Sequence, residues 1–237
     1  AAWGQLAPLL PAPAAVAGYS VGELAAWAAA GVCDAATAME LARRRAALMD
    51  RDAAECPTGL LSISGLGGDR VDRLCADFDL AVAIRNGIDS VVVGGRQASL
   101  PAAEEAVRRL GGRGTLLNVQ VASHTRWMAR AARDFAELIA PLPFHAPRTA
   151  LFSNAGGRVA TVAHLKDALA RQIDHVVRWD DCMEGIAARQ VGCVLEVGPG
   201  QALARMWNQR HPHTPARSAD EFRSARAVAA WVARWSG

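Results

Sequence analysis

The sequence predicts an α/β fold: a large subdomain with a parallel sheet, carrying a smaller inserted one. Three observations predict it. The apolar run Ala14-Ala15-Val16-Ala17 passes through a tight Gly18-Tyr19-Ser20-Val21-Gly22-Glu23 into the alanine-rich stretch 24–30, which reads as strand, turn, helix. Residues 60–119 alternate as βαββαβ, the order of a ferredoxin-like unit. Near the end, the apolar stretch 191–197 reads as a buried strand and runs through Gly198-Pro199-Gly200 into a helix. Ligands bind at that edge of an open α/β sheet. The expected organisation is a large subdomain in two parts, 1–55 and 121–237, around a small one at 56–120.

Composition narrows the class. At 237 residues, 51% hydrophobic and a net charge of +3, the chain can bury a substantial core and has no charge run that suits nucleic acid. No apolar stretch approaches the roughly 20 residues of a membrane span. Residues 1–18 are apolar and proline-rich without a basic segment, which argues against a signal peptide. The chain lacks an initiator Met and meets its tight turn almost at once, so an upstream piece is expected. Cys33, Cys56, Cys75, Cys182 and Cys193 are an odd number without C-x-x-C or a nearby His cluster. They read as buried thiols in a reducing cytoplasm, with no metal site.

Taken in order, the first tight turn has the pattern G-x-S-x-G. Between strand and helix this is a nucleophile elbow of the α/β-hydrolase kind; an ordinary strand-to-helix turn is the alternative. Its glycines let the backbone turn sharply, and Ser20 is presented at a helix N-terminus, where the N–H of Val21 is an oxyanion donor. Gly31 ends that helix, and Asp34 caps the next one, 35–50. There Ala38, Leu41, Ala42, Leu48 and Met49 form an apolar stripe with Arg45 in its middle, while Arg43 and Arg44 lie off it beside Glu40. A guanidinium facing inward needs an anion, either a substrate carboxylate or a structural salt bridge, unless it snorkels to water.

The inserted unit reads as strand 60–64, helix 69–77, strand 80–84, a turn at Asn86-Gly87, strand 90–93, helix 100–110 and strand 115–119. His124 then stands at a strand-to-helix junction, rigid yet open to a cleft. That suits a general base, although a lone His is more often structural. On the following helix, 125–140, Arg126, Arg130 and Arg133 share a face that is either solvated or a landing strip for an acidic partner. A proline linker at 141–147 leads to strand 151–154, a Gly156-Gly157 turn, and helices at 165–174 and 179–189. After the strand at 191–197 come helices at 201–210 and 225–234.

Together these residues resemble the malonyl-CoA:acyl-carrier-protein transacylase family over almost the whole chain. The elbow matches the family's G-H-S-x-G-E with Tyr19 in place of the usual His, and Arg45 lies 25 residues after Ser20, where the family has its carboxylate-binding arginine. Ser123-His124 matches the family's S-H base, and Gln172 the glutamine whose main-chain carbonyl orients it. Glu196-Val197-Gly198-Pro199-Gly200 is the family's E-V-G-P-G, and Asn86 matches an asparagine near the family's active site. Within the family the chain is most similar to the malonyltransferase (epsilon) subunit of malonate decarboxylase, through G-Y-S-V-G-E-L-A-A, residues 121–125 and the tail 215–224.

The resemblance implies a transferase moving malonyl from malonyl-CoA to the prosthetic-group thiol of an acyl-carrier protein, without a bound cofactor. Ser20 is then the nucleophile, His124 the base, Val21 an oxyanion donor, and Arg45, Asn86 and Tyr19 substrate-binding. The carrier it implies is the malonate decarboxylase carrier subunit. One departure stands out: the family's G-Q-G-x-Q strand, source of a second oxyanion N–H, has no counterpart, Gln5 lacking the surrounding pattern. Losing such a donor costs about 2.7–4 kcal/mol, so the sequence is expected to be a fragment. Three rivals remain: a serine thioesterase or hydrolase, an acyltransferase domain of a polyketide or fatty-acid synthase, and a non-catalytic binding module. The hydrolase order requires a late His, and the candidates, His211 and His213, sit in a polar, proline-flanked loop.

Overall fold

A computed structural model describes residues 2–235. The chain divides into two compact units, Ala17–Cys182 and the pair of segments Ala1–Val16 and Met183–Gly237. It begins in the second of these with helix α1 (Ala2–Leu6), which contains Gln5, and a 3-10 turn. Strand β1 (Ala15–Ala17) then leads to the elbow.

Helix α2 (Gly22–Ala29) buries Glu23, Leu24, Ala26 and Trp27. Asp34 caps helix α3 (Ala35–Glu55) by accepting a hydrogen bond from the Thr37 N–H at 2.7 Å. The helix runs one turn past the expected end at residue 50. Two contacts invisible to local pattern hold that turn: Asp52 accepts from the Ala131 N–H at 2.8 Å, and Arg51 pairs with Asp134 at 2.7 Å.

The βαββαβ region comprises β2 (Thr58–Ser64), α4 (Gly68–Asp77), β3 (Ala81–Gly87), β4 (Ser90–Arg96), α5 (Leu100–Arg109) and β5 (Arg113–Leu116). The four strands pair antiparallel in the order β5-β2-β4-β3, as a ferredoxin-like unit requires. Alternate residues of β2 and β4 and one face of each helix close a core of Leu61, Ile63, Leu66, Val71, Leu74, Leu80, Val93, Leu100, Ala103 and Val107. The predicted turn at Asn86-Gly87 is corrected. Both residues belong to β3, and the reversal falls at Ile88-Asp89. The register steps from Arg85↔Val91 to Gly87↔Ser90, so Asn86 is the extra residue of a bulge, a device that re-aims a side chain.

A 3-10 turn (Arg126–Met128) precedes α6 (Ala129–Ile139), so the predicted helix from 125 starts with a tighter turn. Strands β6 (Ala150–Ser153) and β7 (Gly157–Val159) form a hairpin, and Thr161 caps α7 (Val162–Arg171). That cap starts the helix three residues before the expected 165. The two-residue β8 (Val177–Arg178) adds to β3 in parallel, with Ile84 opposite Val177. Helix α8 (Trp179–Ala187) carries the chain back to the other unit.

There, β9 (Val194–Glu196) and β10 (Ala216–Ser218) pair in parallel, with α9 (Ala202–Arg210) between them and α10 (Ala225–Ala233) last. Leu6, Val228 and Val232 centre this unit's core, with Leu195 and Val197 packed beside them. The expected buried strand 191–197 is therefore shorter and only half-buried, because a two-stranded sheet covers each strand incompletely. Glu196 caps α9, accepting from the N–H groups of Leu203 (3.3 Å) and Ala204 (2.8 Å). Among the described residues no helix is long and apolar enough to cross a membrane.

Candidate active site

The elbow is built on close backbone approach. A Cβ added at Gly18 would lie 2.0 Å from the Gly22 carbonyl oxygen, so only glycine fits there. Ser20 has φ 52°, a left-handed conformation that costs about 1–3 kcal/mol for a residue with a side chain. Hydrogen bonds hold it there: its N–H donates to Asn154 Oδ1 at 2.8 Å, and its carbonyl accepts from the Glu23 N–H (3.0 Å) and from Gln172 Nε2 (2.9 Å). The next N–H, that of Val21, has no partner among the described residues. It is the first free donor at the head of α2.

His124 is also left-handed (φ 65°) and is fixed by its own N–H, which donates to the Ile173 carbonyl at 2.8 Å. Its Nδ1 lies 2.5 Å from the Gln172 carbonyl oxygen and its Nε2 lies 2.8 Å from Ser20 Oγ. A carbonyl only accepts, so Nδ1 carries the proton and Nε2 presents its lone pair to the serine hydroxyl. Burial, helped by the nearby Arg45 charge and opposed by the Gln172 bond, holds the His124 pKa down to about 3. The imidazole is neutral, ready to accept a proton.

Arg45 is 5% exposed, so it does not snorkel, and no ion pair engages it among the described residues. Its Nη2 donates to Gln172 Oε1 at 3.1 Å, and its Nε is buried without a partner. Burial pulls the guanidinium pKa down to about 10, and the charge of Glu23 pulls the other way. Glu23 itself is fully buried, accepting at Oε2 from the Asn154 N–H (3.0 Å) and Gln172 Nε2 (2.7 Å). Burial raises its pKa, opposed by hydrogen bonds from Ser153, Asn154 and Gln172 and by the Arg45 charge.

Tyr19 Oη donates to Asn86 Oδ1 at 3.0 Å, and its ring meets Trp179 edge-on with centroids 5.4 Å apart. Burial pushes the phenol pKa up to about 12, so it stays a donor. The bulge in β3 thus aims Asn86 at the elbow.

The structure brings Ser20, His124, Gln172 and Arg45 into one hydrogen-bonded chain, with Val21 beside it and Tyr19 paired with Asn86. Of the helical arginines, Arg126 pairs with Asp79 at 2.5 Å and Arg130 with Glu55 at 2.8 Å, so both already have acidic partners. Sequence reasoning missed Asn154, whose Nδ2 also donates to the Gly18 carbonyl at 2.8 Å, and missed the Gln172 side chain. The available signal for Asn154 was its place just past the C-terminal end of β6, the edge where open α/β sheets gather functional groups. Chemically, a hydroxyl, a neutral imidazole, a free main-chain donor and a buried cation together suit acyl transfer to and from serine.

Comparison with known proteins points the same way. A model of the acyl transferase domain matches residues 3–232. The malonyl CoA-acyl carrier protein transacylase of Mycobacterium bovis is 36% identical over 212 residues, covering 86% of this chain and 67% of that protein. The crystal structure of FabD from Acinetobacter baumannii superposes with a TM-score of 0.91 at 27% identity, covering 98% of this chain and 76% of that one. A malonyl-transacylase solved in complex with its type II polyketide acyl-carrier protein superposes with a TM-score of 0.89 at 27% identity, covering 96% and 75%.

Proposed function

The chain belongs to the acyl transferase domain family, and on that premise we propose that it moves malonyl from malonyl-CoA to the thiol of an acyl-carrier protein through a malonyl-Ser20 intermediate. The observation that carries the reading is the continuous path from Ser20 Oγ through His124 to Gln172, and from the same Gln172 to the buried Arg45.

In the first half-reaction Ser20 Oγ attacks the thioester carbon as its proton passes to His124 Nε2. The Val21 N–H stabilises the tetrahedral oxyanion. The carbon–sulfur bond then breaks, and the departing CoA sulfur takes the proton back from His124. In the second half the carrier thiol gives its proton to His124 and attacks the ester carbon; Ser20 leaves as the hydroxyl. Gln172 orients the imidazole through a neutral carbonyl, so the imidazolium gains less than it would from an aspartate. Arg45 receives the free carboxylate of malonyl; acetyl would leave it unpaired, a difference of about 1.5–3 kcal/mol or roughly ten- to a hundredfold.

For the acceptor, the tyrosine of the elbow and the tail at 215–224 favour the carrier subunit of malonate decarboxylase, in the cytoplasm. The second reading is a carrier of fatty-acid or polyketide synthesis, favoured by the names of the relatives above. Intact-mass measurement after brief incubation with malonyl-CoA or acetyl-CoA tests the chemistry. A malonyl adduct on the parent, absent from Ser20→Ala and weak with acetyl-CoA, is the expected result. Free CoA accumulating without adduct or acceptor would instead mark a hydrolase. Offering the two kinds of carrier to the malonyl-enzyme then decides between acceptors.

A further inference from the structure

The mechanism above uses only the main-chain carbonyl of Gln172, yet the side chain of this fully buried residue is equally committed. Its Oε1 accepts from Arg45 Nη2 at 3.1 Å. Its Nε2 has three acceptors within reach: Glu23 Oε2 at 2.7 Å, the Ser20 carbonyl at 2.9 Å and Asn154 Oδ1 at 3.4 Å. An amide NH₂ has two protons, so the two shorter contacts claim them.

Chemistry fixes which way this amide faces. Turned over, it would set its oxygen against a carboxylate and a carbonyl, and its NH₂ against a guanidinium that only donates. Glu23 enforces the choice: its Oε2 already accepts from the Asn154 N–H, so the amide must turn a donor towards it. The orientation then determines what Arg45 sees: a neutral acceptor at Nη2 and, among the described residues, no direct ion pair, with Nε left buried and unengaged. A carboxylate seated directly on Arg45 would instead use up the donors a substrate needs. Glu23 thus sits one residue removed, close enough to offset the buried charge and too far to occupy it.

We infer that Glu23 and the Gln172 side chain are positioning residues that set the acyl preference: they hold the Arg45 guanidinium facing the acyl group and tie it, through the same amide, to the carbonyl of Ser20. This rests on the malonyl reading above. The base and the carboxylate receptor then share one anchor, Gln172, whose backbone holds one and whose side chain holds the other.

Gln172→Met tests it, because methionine keeps the main-chain carbonyl and nearly the same volume while removing both polar atoms. The expected result is that kcat/KM for malonyl-CoA falls roughly tenfold relative to that for acetyl-CoA, with the change mostly in the malonyl-CoA KM. Glu23→Gln, which keeps shape and removes the charge, shifts the same ratio in the same direction by less. Equal slowing of both acyl groups in both variants means a merely structural role and overturns the inference. Arg45→Ala is run alongside. If it leaves the ratio unchanged, the malonyl receptor is wrong and this inference falls with it. If it collapses the ratio while Gln172→Met and Glu23→Gln do not, only the positioning role is lost. Should Gln172→Met fail to fold, Glu23→Gln alone decides.

Discussion

The apolar core beneath the βαββαβ sheet and the polar cluster around Ser20 lie in one compact unit but are held by different physics. The sheet core joins Leu61, Ile63 and Val93 to Val71, Leu74, Leu100 and Val107 from two helices. Its stabilisation is non-directional, scaling with the apolar area removed from water. The cluster of Glu23, Arg45, His124, Asn154 and Gln172 is just as buried, but each member costs free energy to bury unless its partners are in place. Neighbours in the core come from a contiguous run of chain. In the cluster, Ser20 meets Asn154 across 134 residues and Gln172 across 152. The first region tolerates changes of shape in proportion to volume. The second responds to the loss of single atoms.

The largest expected break in this comparison is Ser20→Ala. Transfer falls by roughly 10⁴-fold or more, while amide exchange in β2 and β4 stays at the parent rate. The converse is Leu61→Ala, which removes a fully buried side chain from the sheet core. It lowers unfolding free energy by about 2–5 kcal/mol, measured by denaturant titration, and leaves the ratio of malonyl to acetyl transfer where it was.

Per pH unit the next effect is smaller, and it is read at His124. His124 has its pKa held near 3 in the folded protein against 6.5 ordinarily, so below pH 6.5 the unfolded chain takes up a proton the folded one refuses. Stability from this group is full above pH 6.5 and declines as pH falls towards 3, by at most about 1.4 kcal/mol per pH unit. His124→Gln flattens that slope in melting curves taken across the range; an unchanged slope means the titration lies elsewhere. Least disruptive is Tyr19→Phe, which deletes the bond to Asn86 but keeps the ring against Trp179. A loss of about 0.5–1.5 kcal/mol in stability is expected, read in the same titration.

Legibility followed the same division. The βαββαβ order, the strand–turn–helix at Ser20 and the inward Arg45 were readable because hydrophobic period and turn chemistry are local. Helix α3 overran its expected end because Asp52 and Arg51 are bound by residues more than a turn of chain away. Asn86 read as a turn residue because Asn-Gly is a turn signal, whereas the pairing of β3 with β4 makes it a bulge. Glu23 stood in plain view in the elbow, but nothing local says that its carboxylate faces a glutamine 149 residues on.

By itself the sequence determined which residue types carry chemistry and which segments could form the elements bearing them. A serine between two glycines and an arginine inside an apolar stripe constrain their own surroundings. Only the tertiary structure decided the tautomer of His124, the facing of the Gln172 amide and the neutral partner it gives Arg45. Those depend on donors and acceptors meeting within about 3 Å in a buried site. Backbone elements more than a hundred residues apart must first pack before such a distance exists.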